Sequence, residues 1–194
     1  MCGSAVAWCL LQDDELLDLV AIATIADMMP MLGVNRWFVR EGIKQLKNTN
    51  RIGLKLLLEQ ANLNLEDVGS YEIGHIISPR LNAVGRLDSA MDALRLLCTK
   101  SPSKAKELVE VLEQVNLKRQ QLTIMAIESA RLMILEEKQI YVLNHASWHP
   151  GIIGLIAGRI MEETGRPTIA IARGSIHSRG SARSINGVNI IEII

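Results

Sequence analysis

Aromatic residues are scarce in this chain: one Phe, two Tyr and three Trp among 194 residues. A core with so few rings has to be aliphatic, built from Leu, Ile, Val, Ala and Met. A module that grips single strands by stacking base after base on aromatic faces is excluded. Net charge is also lacking, with 21 basic residues against 21 acidic ones. No global field draws the chain to nucleic acid or membrane, so any anion site has to be local. Cysteine is sparse, and Cys2, Cys9 and Cys98 show no CxxC spacing. They read as reduced thiols of a cytoplasmic protein. No run approaches the roughly 18–20 apolar residues of a membrane span. The opening MCGSAVAWCLLQDDE has no basic flank and no clear cleavage site, so it is not a signal peptide. No P-loop, zinc pattern or Ser-His-Asp order occurs.

What is present is globular in composition, with 48% hydrophobic and 22% charged residues, enough for one large domain or parts of two. Both ends are abrupt. The first helix reads as a core element whose preceding chain is absent, and VNIIEII stops in mid-pattern, which suggests a fragment. Residues 3–12 read as a short buried helix. Residues 15–26 read as a second one, opened by Asp13, Asp14 and Glu15. Residues 35–48 and 52–61 continue the helical pattern. Residues 62–86 are less regular, with Pro79 and Gly85 bounding a tight structure, and SAMDALRLLCT is helical. Ser101-Pro102 is a good N-cap followed by a first-turn proline. From there the pattern stays helical to about Lys138, with Arg119 and Ser129 interrupting the apolar face. Such a helix spans on the order of 50 Å and suits a connector between two bodies. Then the period changes. QIYVLNH and RPTIAIAR read as strands around a helix closed by Gly165, SIHSRGSARSI as a strand pair or a strand with a loop, and GVNIIEII as a further helix start. The expected class is α/β: a mostly helical part over 1–100, a connector over 101–138, and a partial α/β body with a parallel strand pair over 139–194.

Four stretches could carry chemistry. In NHASWHPGIIGLIAGRI a strand runs through His145 to Trp148 and His149, and a helix opens at Pro150. Free N–H groups at such a start attract anions, and Gly151, Gly154 and Gly158 permit close approach of a phosphate. The same glycines could serve only to pack helix on strand, and the two histidines could be metal ligands or plain hydrogen-bonding residues. In SRGSARSI, Ser181, Arg183 and Ser184 around Gly180 make a workable phosphate cradle or a solvated hairpin. In SPRLNAVGRLD, Arg80, Asn82 and Arg86 on a rigid loop suit phosphate binding, or salt bridging of Arg86 to Asp88 or Asp92. In AIATIADMMPM, Asp27 ends an apolar stretch and needs a helix N-terminus, an arginine or a metal ion.

Taken together, DLVAIATIADMMPM, SPRLNAVGRLD, HASWHPGIIGLIAGRI and GSARSING resemble, in order and spacing, the RecJ single-stranded-DNA exonucleases of the DHH phosphoesterase superfamily. The resemblance implies the end of a DHH catalytic domain, a connector helix and a truncated DHH-associated domain. It implies phosphodiester hydrolysis from a 5′ end with Mn²⁺ or Mg²⁺, in DNA repair and recombination. Asp27 corresponds to a metal-binding aspartate, so Asp27 and His149 are the expected catalytic residues. Arg80, Asn82, Arg86, Gly151, Ser181, Arg183 and Ser184 are the expected substrate-binding ones. Single-stranded DNA is the implied partner, with a helicase or single-strand-binding protein beside it, and no membrane. The paired-aspartate, Asp-His-His and Gly-Gly-His motifs do not occur in these 194 residues, so the chain alone is expected to be inactive. Another DHH phosphodiesterase acting on short oligonucleotides or cyclic dinucleotides, or a non-catalytic DNA-binding or scaffold relative, are the alternatives.

Overall fold

The computed structural model describes all 194 residues, which divide into two compact units, 1–116 and 117–194. In the first unit helices α1 (Gly3–Leu11), α2 (Leu17–Ala26), α3 (Gly33–Lys47) and α4 (Ile52–Gln60) follow one another. A single helical turn, α5 (Ser70–Glu72), then runs through a π-helical turn (Ile73–Ile77) into α6 (Ser78–Leu87), and α7 (Met91–Cys98) completes the set. The long helix α8 (Pro102–Leu132) starts in this unit and ends in the second one.

The main core is wholly aliphatic, as the scarcity of rings requires. Leu46, Leu54, Leu57, Leu58, Ile73 and Leu112 are fully buried in it. Half of the six aromatic residues sit together beside it: Trp8, Trp37 and Phe38 have ring centroids 5.2–5.6 Å apart. α2 and α3 cross closely because Gly42 faces the Leu17 carbonyl and Ala21, where a Cβ has no room. Asp18, on α2 and buried, is held by Thr49 Oγ1 at 2.9 Å and Arg51 Nε at 3.1 Å, and Arg51 also reaches the Leu97 carbonyl at the end of α7.

Three sequence expectations are corrected here. α1 is a helix but is not buried: only Ala5 is, while Leu10 and Leu11 face solvent, because α1 packs on its neighbours through one narrow stripe. The stretch before Gly85 is helix and not loop: Pro79, which has no N–H to donate, stands directly after the π-helical turn, where the regular ladder is already interrupted. α8 stops at Leu132 and not near Lys138. Beyond it the Tyr141 hydroxyl engages the Lys138 N–H and the Glu136 carbonyl, which draws this segment into the following strand.

The second unit holds strands β1 (Tyr141–His145), β2 (Thr168–Ala172) and β3 (Arg179–Arg183), helix α9 (Ile153–Thr164) and a last turn, α10 (Ile190–Ile193). β1 and β2 are parallel, as the strand–helix–strand pattern predicts, and β3 adds antiparallel to β2 with Ser181 opposite Ala170 and Arg183 opposite Thr168. β1 and β2 bury alternate residues, and α9 lies on the face of β2 that carries Thr168, Ala170 and Ala172. Gly165 closes α9 at φ +63°, which a Cβ would strain.

Candidate nucleic-acid interface

The glycines of α9 and the polar residues of β3 meet. Ser181 and Arg183 project to the α9 side of the sheet, two positions apart on the strand. A Cβ on Gly154 would stand 3.1 Å from Ser181 Oγ and 3.2 Å from Arg183 Nη2. On Gly158 it would lie 3.9 Å from Arg183 Cγ. The absence of a side chain at Gly154 thus lets a hydroxyl and a guanidinium settle on the first turn of α9, which has no side-chain cap. Arg183 Nη1 donates to the Ala182 carbonyl at 2.8 Å, and the guanidinium stays exposed. The set contains donors and no carboxylate, which is the chemistry of an anion site. Ser184 is used locally: its hydroxyl donates to the Val188 carbonyl at 2.7 Å and shapes the turn after β3.

α9 opens at Ile153 and not at Pro150, because His149 organises the turn before it. The His149 carbonyl accepts the Ile152 N–H at 3.0 Å, and its Nδ1 accepts the Gly151 N–H at 3.0 Å. An accepting Nδ1 puts the proton of the neutral ring on Nε2, which makes Nε2–H the donor this half-buried ring offers a ligand. His145 does likewise, with Nδ1 taking Ser147 Oγ at 2.7 Å. Neither ring joins a metal-ligand group, and nowhere do three His, Cys, Asp or Glu side chains converge. Trp148, buried between the two histidines in sequence, donates from Nε1 to Ser129 Oγ at 2.9 Å. That bond explains the polar interruption on the apolar face of the long helix: Ser129 anchors the loop that carries His149.

In the first unit the three residues of SPRLNAVGR separate. On a helix, Asn82 and Arg86 are one turn apart and share a face, and both are exposed, whereas Arg80 points elsewhere. Arg80 Nε donates to Glu113 Oε2 at 2.8 Å, Nη2 reaches Oε1 at 3.4 Å, and Nη1 donates to the Ile76 carbonyl at 2.9 Å. Beside the salt bridging expected at Arg86, the structure shows one at Arg80, with a partner 33 residues away.

Asp27 is exposed and caps the C-terminus of α2. Its side chain has no hydrogen-bond or ion-pair partner. The helix N-terminus and the arginine are therefore not what stands beside it. The C-terminal end of a helix carries negative partial charge, which disfavours a carboxylate by about 0.3–1 kcal/mol and favours a cation close by. Met28, next in the chain, takes φ +52°, a conformation that disfavours an L-residue by about 1–2 kcal/mol. Asp27 is thus an exposed carboxylate with no cation beside it, and no group of three His, Cys, Asp or Glu side chains forms around it.

Residues 136–194 match the DHHA1 domain family. Over 185 residues the chain is 37% identical to the single-stranded-DNA-specific exonuclease RecJ of Bacillus subtilis, covering 92% of this chain and 23% of that protein. It is 36% identical to the Haemophilus influenzae RecJ, covering 93% of this chain and 33% of that one. The crystal structure of RecJ from Thermus thermophilus in complex with Mg²⁺ superposes with a TM-score of 0.85 at 35% identity, covering 92% of this chain and 28% of that one. A structure of the same protein with Mn²⁺ gives 0.83. This chain matches the RecJ family in sequence and in fold. At 92% of this chain, the RecJ match extends into both units. The chain spans about a quarter to a third of the length of the curated RecJ relatives it matches.

Proposed function

We propose that this chain is part of a single-stranded-DNA exonuclease of RecJ type, which hydrolyses phosphodiester bonds in the 5′→3′ direction by metal-assisted attack of water. The observation that carries the proposal is the contact of Ser181 and Arg183 with Gly154 at the uncapped start of α9. Hydroxyl, guanidinium and backbone N–H groups there all donate, and a phosphodiester only accepts. His149 adds its Nε2–H, and Gly151 orients that ring by donating its N–H to Nδ1. Asn82 and Arg86 form a second donor face, and Arg80 a third group, in the first unit. Asp27 supplies one ligand to Mn²⁺ or Mg²⁺, and the remaining ligands come from residues other than these 194. Metal-dependent cleavage is therefore absent from the chain by itself. The strand polarity, the role in repair and recombination, the cytoplasmic location and a helicase or single-strand-binding partner rest on the resemblance to RecJ.

Fluorescence anisotropy with a labelled single strand tests the reading. Binding should weaken with salt, and Arg183→Ala should weaken it about tenfold or more, the scale of a charge-assisted hydrogen bond. The salt slope should fall by roughly 0.7, one phosphate contact on a single strand. Unchanged affinity removes β3 from the site. Asp27→Ala should leave this binding intact, yet abolish Mn²⁺-dependent cleavage in a longer RecJ-type protein that supplies the other ligands; a fully active variant contradicts the ligand role.

A further inference from the structure

We propose that Glu113 is a positioning residue that pre-sets the Arg80 guanidinium for a phosphate; this rests on the reading above that counts Arg80 among the groups that hold the DNA. A guanidinium has five N–H donors in one plane. Glu113 takes one from Nε at 2.8 Å and one from Nη2 at 3.4 Å, and the Ile76 carbonyl takes one from Nη1 at 2.9 Å. Acceptors on two different elements, the long helix and the π-helical turn, therefore fix the plane. Two N–H groups, one on each terminal nitrogen, are left for a ligand. Their spacing suits two oxygens of one phosphate. The side chains of Arg80 and Glu113 are 17% and 19% exposed, so water screens this pair less than the surface pairs of the molecule. An arginine held in this way loses little rotamer freedom when DNA arrives, which is the advantage of preorganisation.

Electrostatics makes the test decisive. Removing an acidic group from a protein that binds a polyanion should, through charge alone, tighten binding. A positioning role demands the opposite. Single-strand affinity of the chain for a 5′-phosphorylated oligothymidylate is measured for the unaltered protein and for Arg80→Ala, Glu113→Gln, Glu113→Ala and the double variant Arg80→Ala/Glu113→Ala. Thermal unfolding is followed in parallel. The expected result is a loss of about three- to tenfold for Glu113→Ala, a smaller loss for Glu113→Gln, which keeps one acceptor oxygen, and no further loss in the double variant beyond that of Arg80→Ala. The salt slope of Glu113→Ala should drop toward that of Arg80→Ala. Tighter or unchanged binding by both Glu113 variants, alongside weakened binding by Arg80→Ala, overturns the positioning role and leaves Glu113 a structural tie. Unchanged binding by Arg80→Ala overturns this inference together with the DNA-facing role of Arg80.

Discussion

Arg131 donates to both carboxylate oxygens of Glu163, at 3.0 and 2.5 Å, and Arg159 reaches the same carboxylate at 2.7 Å. The hydrogen bonds from Arg131 hold the Glu163 carboxyl below the ordinary glutamate range; burial pulls the other way, and the Arg131 charge and the Arg159 hydrogen bond add to the lowering. A carboxyl depressed in the folded state adds stability above its unfolded value and loses it as pH falls through the folded one. Stability of the second unit should therefore decline as pH drops below about 4, near and under the ordinary glutamate value. Melting curves of Glu163→Gln should show a flatter acid limb than those of the unaltered chain; parallel limbs would refute the assignment. At this scale the sequence marked Asp27 as a carboxylate whose partner was open between a helix N-terminus, an arginine and a metal ion, and the structure puts neither of the first two beside it. Glu113 was not marked, because its partner lies far away in sequence and a glutamate on a long helix looks like any solvated residue. Asp18 escaped notice for the same reason: Thr49 and Arg51 reach it only once α2, the α3–α4 connection and α7 come together.

Elements show where helix and strand grammar succeeds. The parallel pair around α9 was legible because the apolar period switches from 3.6 to 2 on either side of it. The run through Ser70–Leu87 was not, because Pro79 and Gly85 look like breakers, and nothing in the sequence announces the π-helical turn that precedes the proline within one continuous helical run. Glycines near His149 suit both packing and an anion site, and at Gly154 the structure shows the packing: β3 brings Ser181 and Arg183 against the start of α9. Gly154→Ala separates the two roles. Its methyl would press on Ser181 and Arg183, so single-strand binding should weaken by about 1 kcal/mol, roughly fivefold. Helix propensity favours Ala over Gly by up to about 1 kcal/mol, so thermal stability should hold or rise. A stable variant that binds as well as the unaltered chain would show that the β3–α9 contact is packing alone.

Across the whole molecule the long helix serves both units from one continuous element. Leu112 is buried in the first core, and Glu113 beside it ties Arg80; further along, Ser129 ties Trp148. The two units have separate cores, so calorimetry should resolve two transitions. Leu112→Ala should lower the one belonging to residues 1–116, and Ile156→Ala the one belonging to 117–194, by about 2–5 kcal/mol each. A single transition shifted equally by both would mean that the helix couples the units into one cooperative body. The placing of the three indoles makes the distinction visible to light. Trp8 and Trp37 lie 5.6 Å apart in the first unit, whereas Trp148 is alone in the second, shielded from water and bonded to a serine. With Trp8 and Trp37 replaced by Phe, emission from Trp148 becomes a private signal of the sheet-bearing unit, and a red shift reports its opening while the other half stays dark.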